Sequence, residues 1–347
     1  MQLRLIALSD PQRFMKKMTI RAMTVVRSMC FIGGISIASL SSGASAQAIS
    51  NLADGSRDSA TGVSFSPAIA LPSQSLPQEP ASSLLWRVSS GSNSLYLFGS
   101  IHLAKASFYP LPAAVELAYA QADLLAVEAD VTDTVAAKKA MPLMQYASPD
   151  NLQRHLSAPA WRRLQALAGP AAQQLQAFKP AVVTMGLVLS AFTRQGYDPA
   201  YGIDLHFIQR ARTEHKKILE LESLAFQAGV LGKLSDAEGE AMLTQALESL
   251  QDGAALRELD DMVAAWKSGD AAALAQMFAD SGNKDAGSKK LMKLLLDDRN
   301  VGMAQKIQGL LRSGSKALVV VGAGHLVGAN SIVELLQKQG WQVQQVK

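Results

Sequence analysis

Two segments of the same form stand near opposite ends of the folded part of the chain. Ser94 to Phe98 runs into Gly99-Ser100-Ile101-His102, and Ala317 to Val321 runs into Gly322-Ala323-Gly324-His325. A short apolar run bounded by glycine reads as a buried strand. In α/β sheets, ligands bind beyond the carboxyl ends of the strands, and glycine there permits a tight turn and close approach to a bound group. A side chain three residues after the glycine is aimed into that crevice. The chain has only five histidines, and two of them occupy this position. The pattern therefore demands a fold in which two strands, far apart in sequence, deliver imidazoles to one site.

The remaining periodicity places those strands in a mixed α/β fold. Leu84 to Ser89 and Ser94 to Phe98 are joined by Ser90-Gly91-Ser92-Asn93, a turn-rich connection that predicts a β-hairpin. A helix over Ala113 to Ala122 and a buried strand over Asp123 to Val127 follow. From Val131 to about Gly287 the pattern is helical, broken at Ala158-Pro159, Gly169-Pro170, Lys179-Pro180, Gly196, Gly232 and Gly253, with Lys217 to Leu221 as a short strand inside it. One long helix from Ser288 to Arg312, the strand Ala317 to Val321, a helix near Ser331 to Lys338 and a last strand Trp341 to Val346 complete the chain. The expected architecture is a central mixed sheet built from N- and C-terminal βα elements around a large helical middle region.

Residues 1–47 read as a signal peptide rather than as part of that fold. Six basic residues precede an apolar stretch from Cys30 to Leu40, and small residues follow through Ala48. The apolar stretch is too short to span a bilayer, where about 20 residues are needed, so no transmembrane anchor is expected after cleavage and the product is periplasmic or secreted. Residues 48–82 are rich in Ser, Ala, Pro and Gly and read as a flexible linker, leaving 83–347 as the domain. The leader also carries the positive charge: the whole chain is at +4, but without the leader's six basic and one acidic residues it holds about 27 basic against 28 acidic side chains. A nucleic-acid role loses its electrostatic basis, because phosphate binding needs surplus Lys and Arg. The single cysteine, Cys30, lies in the leader too, so the mature domain has no disulfide, thiol nucleophile or Cys metal ligand.

Glu128 is the natural third member of the histidine site. It ends the apolar strand Leu124-Leu125-Ala126-Val127, where an unpaired carboxylate is costly, and a metal ion or an Arg would compensate it. His102, Glu128 and His325 make an open coordination set with room for a water whose pKa the metal lowers. Asp130 is a weaker fourth candidate and reads equally as a helix-capping carboxylate. Arg299, followed by Asn300, either stabilises developing negative charge or pairs with acids on a solvated face. Asp204 and Glu222 read by pattern as a helix-start cap and a strand-end carboxylate, and His155, His206 and His215 as structural.

Other chemistries lack their parts. Gly322-x-Gly324-x-x-x-Gly328 after three valines has the outline of a dinucleotide fingerprint, but the acidic residue expected about 20 positions on is missing and the next strand carries Gln344 and Gln345. There is no Gly-x-Ser-x-Gly elbow, Walker loop or His-Glu-x-x-His helix.

Taken together, the pieces resemble the TraB/GumN family, which includes the Tiki metalloproteases and is related to the erythromycin esterase and ChaN-like proteins. The resemblance is carried by Leu97 to His102, Val127-Glu128, Gly202-Ile203-Asp204, Leu221-Glu222 with Gln227, Arg299-Asn300 and Val321 to Gly328, in the family's order from about Leu84 onward. It implies a mixed α/β core with a large helical region and, in the Tiki branch, peptide cleavage supported by Mn²⁺ or Co²⁺, with Zn²⁺ as a further possibility. By position it implies that His102, Glu128 and His325 are essential, with Arg299 beside them. Ser100 departs from the Thr often found there and keeps the hydroxyl. The expectation is an exported metal-dependent hydrolase acting on a peptide or protein. The alternative is a non-catalytic periplasmic binding or accessory protein linked to envelope or polysaccharide assembly.

Overall fold

The computed structural model describes residues 83–283 and 286–347; the expected leader and linker lie outside the described residues. Strands β1 (Leu85–Ser90) and β2 (Asn93–Ser100) form the expected hairpin around a two-residue Gly91-Ser92 turn. Helix α1 (Ala113–Gln121) leads into β3 (Leu124–Val127). Helices α2 (Thr134–Met144), α3 (Ala158–Ala168), α4 (Ala171–Gln174), α5 (Pro180–Thr193) and α6 (Ile203–Thr213) precede β4 (Lys217–Glu220). Then α7 (Leu224–Gly232), α8 (Asp236–Gln251), α9 (Ala254–Lys267), α10 (Ala271–Gly282), α11 (Ala286–Met292) and α12 (Asp298–Arg312) lead to β5 (Ala317–Gly322). The chain closes with α13 (Ile332–Lys338) and β6 (Gln342–Gln345).

The strands make one mixed sheet in the order β4-β3-β5-β2-β1-β6. β4, β3, β5 and β2 run parallel, and β1 is antiparallel to both its neighbours. The inner strands β3 and β5 are buried at every residue, as a parallel strand covered on both faces must be. Both edges are polar: β4 exposes Lys217 and Glu220, and β6 exposes Gln342 and Gln344, which discourages pairing with another chain.

The helical region has its own apolar centre in α5, all of whose residues except Leu189 and Thr193 are buried; a helix apolar on every side belongs inside. It packs on α8, which opens with a Ser235/Glu238 capping box. Trp266 of α9 anchors this region to the sheet, donating its indole N–H to the Gly99 carbonyl at 2.8 Å and lying against Phe98 and Phe108. Among the described residues, no helix is long and apolar enough to cross a membrane.

One expected element differs. The single helix anticipated from Ser288 to Arg312 is α11 and α12 joined by a π-helical turn, Lys293–Asp297. A π turn keeps the backbone hydrogen-bonded while shifting the helix face, and such turns recur at functional sites. Here it sits immediately before Arg299 and Asn300.

A surface cluster links the helical elements through His155. Its Nδ1 lies 2.7 Å from Asp236 and its Nε2 2.8 Å from Asp150, and its ring stacks on Tyr146. Burial alone would lower its pKa, but the two carboxylates outweigh that and raise it above 6.5. The folded pKa thus exceeds the unfolded one, so the stabilisation is present below the unfolded pKa and lost as pH rises through the folded one. The urea midpoint should fall as the pH is raised above the unfolded imidazole's value of about 6.5, and His155→Gln should flatten this component of the fall.

Candidate functional site

The parallel arrangement brings the carboxyl ends of β2, β5 and β3 to one edge. Gly99 pairs with Val321 and Ser100 with Gly322, while Val127 pairs with Val320. Glu128, one residue past β3, therefore lies beside the end of β5, and its Oε1 accepts the Gly322 N–H at 2.7 Å. His325 ends the 3₁₀ turn Ala323–His325 that follows and brings Nε2 to 3.6 Å from the same oxygen. The β2 exit can come this close because Gly99 has no side chain: a Cβ there would lie 3.1 Å from the Ala323 Cα.

The second Glu128 oxygen is held by cations and amides from the helical region. Arg299 Nη2 donates to Glu128 Oε2 at 2.5 Å and to Glu222 Oε2 at 2.7 Å, its Nε reaches both Glu222 oxygens at 3.1 Å, and its Nη1 donates to the Leu295 carbonyl. The Gln227 amide donates to Glu128 at 3.1 Å and to Glu222 at 3.2 Å. Glu222 stands here because its backbone N–H continues the β3–β4 pairing, donating to the Glu128 carbonyl at 2.7 Å. Burial would raise the Glu128 pKa, but Arg299, then the two histidines and the Gly322 N–H, outweigh it and hold it at about 2. Glu128 is anionic throughout the physiological range. Burial opposes the Arg299 charge, yet the two carboxylates raise its pKa further.

Each imidazole is oriented through Nδ1. His325, fully buried, lies 2.6 Å from Asn300 Oδ1. The Asn300 amide has a fixed orientation, because its Nδ2 donates to the Asn330 carbonyl at 2.9 Å. Oδ1 must accept, so His325 carries its proton on Nδ1 and, when neutral, turns the Nε2 lone pair toward Glu128. His102 Nδ1 lies 2.7 Å from Asp204 Oδ2, and Ser100 Oγ donates to Asp204 Oδ1 at 2.8 Å. The Ser100 proton is thus committed to Asp204, which rules it out as a His-activated nucleophile in this arrangement. His102 Nε2 has no hydrogen-bond partner among the described residues. Burial would lower the His102 pKa; Asp204 and Glu128 raise it on balance, so His102 and Glu128 lie within electrostatic reach. The His102 side chain is 16% exposed, although its Nε2 is buried, whereas His325 is wholly enclosed.

Imidazole and carboxylate are donor types that a divalent ion takes. Glu128, Glu222 and Asp204 are three carboxylates gathered around the single guanidinium of Arg299 and the two imidazoles, and buried negative charge requires a counter-charge, from a protonated imidazole or from a bound cation. Imidazoles whose Nδ1–H is held by a carboxylate or carbonyl oxygen are the usual form of metal-ligating histidine. Among the described residues, however, no three His, Cys, Asp or Glu side chains are gathered at ligand spacing. The centre stands as an ion-pair network with two anchored imidazoles, His325 fully buried and His102 partly exposed.

His325 Nε2 lies 3.6 Å from Glu128, His102 is within electrostatic reach of Glu128, and Arg299 is the counter-ion of Glu128 and Glu222. Asp204 and Glu222, which pattern alone assigned to capping and a strand end, belong to the centre, as does Asn300. Asp130 does not: it pairs with Arg212 and accepts from Thr132. His155 lies in the surface cluster, His206 stacks on Tyr109, and His215 occupies a left-handed turn.

Fold and centre together define an α/β protein with a buried imidazole, carboxylate and guanidinium cluster at the carboxyl edge of a mixed sheet. The model of the TraB/PrgY/gumN family matches residues 84–345, and the chain belongs to that family. It is similar to the uncharacterized protein YbaP of Escherichia coli (strain K12) and to that of Shigella flexneri, each 27% identical over 260 residues that cover 71% of this chain and 89% of the relative. No solved structure matches significantly.

Two outcomes follow from the packing. Arg299→Leu leaves Glu128 as an uncompensated buried charge and should cost about 3–5 kcal/mol in urea denaturation; adding Glu128→Gln should recover part of it. At Gly202 a Cβ would stand 2.5 Å from the His102 carbonyl oxygen, so Gly202→Ala should cost about 1–3 kcal/mol and shift the His102 ring resonances more than those of His325.

Proposed function

We propose that this protein is an exported metal-dependent hydrolase that acts on peptide bonds, with His102, Glu128 and His325 as the residues that hold the ion. The observation that carries the reading is the common orientation of the two imidazoles: each is tied through Nδ1, to Asp204 and to Asn300, beside a carboxylate held ionised. A divalent ion, manganese or cobalt with zinc as a further choice, would supply Lewis acidity and an activated water there.

The chain's own residues have separable tasks. Arg299 holds Glu128 in place and keeps it unprotonated at neutral pH. Asp204 keeps the His102 proton on Nδ1, and Asn300 does the same for His325. Gln227 and Glu222 fix the Arg299 fork and prevent it from rotating away from Glu128. Substrate approaches from the side of His102, whose side chain is 16% exposed while His325 is fully buried. Export is inferred from the basic-then-apolar leader.

A second reading, a non-catalytic periplasmic binding or accessory protein of envelope or polysaccharide assembly, draws support from the closure of the centre, where Glu128 and Arg299 are only 2% and 4% exposed. Metal analysis of the purified chain separates the two readings. Wild type should bind about one equivalent of Mn²⁺ or Co²⁺, and His102→Ala or His325→Ala should weaken binding by at least about tenfold. Cleavage in a peptide library with Mn²⁺ should vanish in Glu128→Gln. A chain that binds no divalent ion would sink the hydrolase reading.

A further inference from the structure

A cleft of about 360 Å³ opens at the opposite edge of the sheet, at the amino ends of β2 and β5, between the β1–β2 hairpin and the end of α1. Its volume lies in the range of small-molecule sites. The strand register accounts for its lining. Arg87 pairs with Tyr96 across the hairpin, and Tyr96 pairs with Leu318 of β5, so that continuing the same register sets Ser94 beside Lys316. Side chains alternate along a strand, so Arg87, Ser94, Tyr96 and Lys316 share one face of the sheet.

The charge on that face is of one sign. Arg87 and Lys316 line the cleft together with the Tyr96, Ser94 and Gln121 side chains, and no acidic residue does. Neither cation forms an ion pair among the described residues, so both are free to meet an anion in the cleft. The lining also includes the small apolar side chains of Ala118, Ala122 and Ala317. Two uncommitted cations, neutral donors and small apolar side chains are the complement of a compact anion with a carbon skeleton.

We infer that this cleft is a binding site for a small organic anion bearing carboxylate or phosphate groups, with Arg87 and Lys316 as its recognition residues. Arg87 offers a planar fork to two anionic oxygens, and Lys316 acts as a point charge beside it. The site is independent of the histidine centre, from which the length of the parallel strands separates it.

Isothermal titration of the full chain with citrate and, separately, with phenyl phosphate tests this and distinguishes carboxylate from phosphate. At least one should bind at about millimolar affinity or better, and the Arg87→Gln/Lys316→Gln double variant should weaken that binding by about tenfold or more. Arg87→Lys should fall between them. Both side chains are exposed, so unchanged circular dichroism is expected. Lys138→Gln/Lys139→Gln, which removes the same charge elsewhere, should bind as wild type does. No measurable binding of either probe up to about 10 mM, equal binding by the double variant, equal loss in the Lys138/Lys139 control, or amide shifts confined to the neighbourhood of His102 and His325 would each overturn the assignment.

Discussion

The buried contact between Glu128 and Arg299 organises the functional edge of this protein. A carboxylate at the end of a fully buried strand has no access to water, and its ionised form persists only because a guanidinium and a backbone N–H occupy its oxygens. Those partners come from elements far apart in sequence. Arg299 lies on α12 and Gly322 at the end of β5, so satisfying Glu128 requires that β3, β5 and the long C-terminal helix be assembled correctly. Glu222, from beyond β4, accepts from the same fork, and the Gln227 amide donates to both carboxylates. The ion pair thus acts as a check on the fold: each of its members is costly to bury without the others.

The helical region serves the same edge rather than forming a separate unit. Asp204 enters from the first turn of α6 to orient His102, and Trp266 from α9 grips the Gly99 carbonyl at the end of β2. Gly99 and Gly202, where a Cβ would stand 3.1 and 2.5 Å from neighbouring backbone, lie where sheet and helices meet around His102. The imidazoles are consequently positioned by two different parts of the molecule, His325 by the C-terminal helix through Asn300 and His102 by the helical insertion through Asp204. A change in the packing of either part is transmitted to one ring before the other.

Much of this is legible in the sequence, for identifiable reasons. The strands ending at His102, Glu128 and His325 announce themselves because apolar runs stop abruptly at glycine or at a single acid, and such a stop is a local signal. Asp204 and Glu222 carry no such signal. A carboxylate in the first turn of a helix or after a strand reads as ordinary until tertiary packing sets it against His102 or Arg299. Asn300 is similar: its role depends on the Asn330 carbonyl, 30 residues away, which fixes its amide. The strand order is also hidden, since β4 is supplied from within the helical stretch and adds to the edge of a sheet whose other members flank that stretch. The TraB/PrgY/gumN family relationship covers the described domain, so the later elements share one framework with the first histidine strand.

The π turn at Lys293–Asp297 has a consequence for how this chain can vary in length. Successive residues of an α-helix are rotated by about 100° around the axis, and one wide turn takes up an extra residue without breaking the run. The residues before it keep their apolar phase on α11, while Arg299 and Asn300, just after it, face Glu128 and His325. A single-residue deletion here would leave a more regular helix. It would also turn the guanidinium and the amide away from their partners by roughly a quarter of a revolution. The irregularity is a phase adjustment, and in this segment chain length matters as much as residue identity.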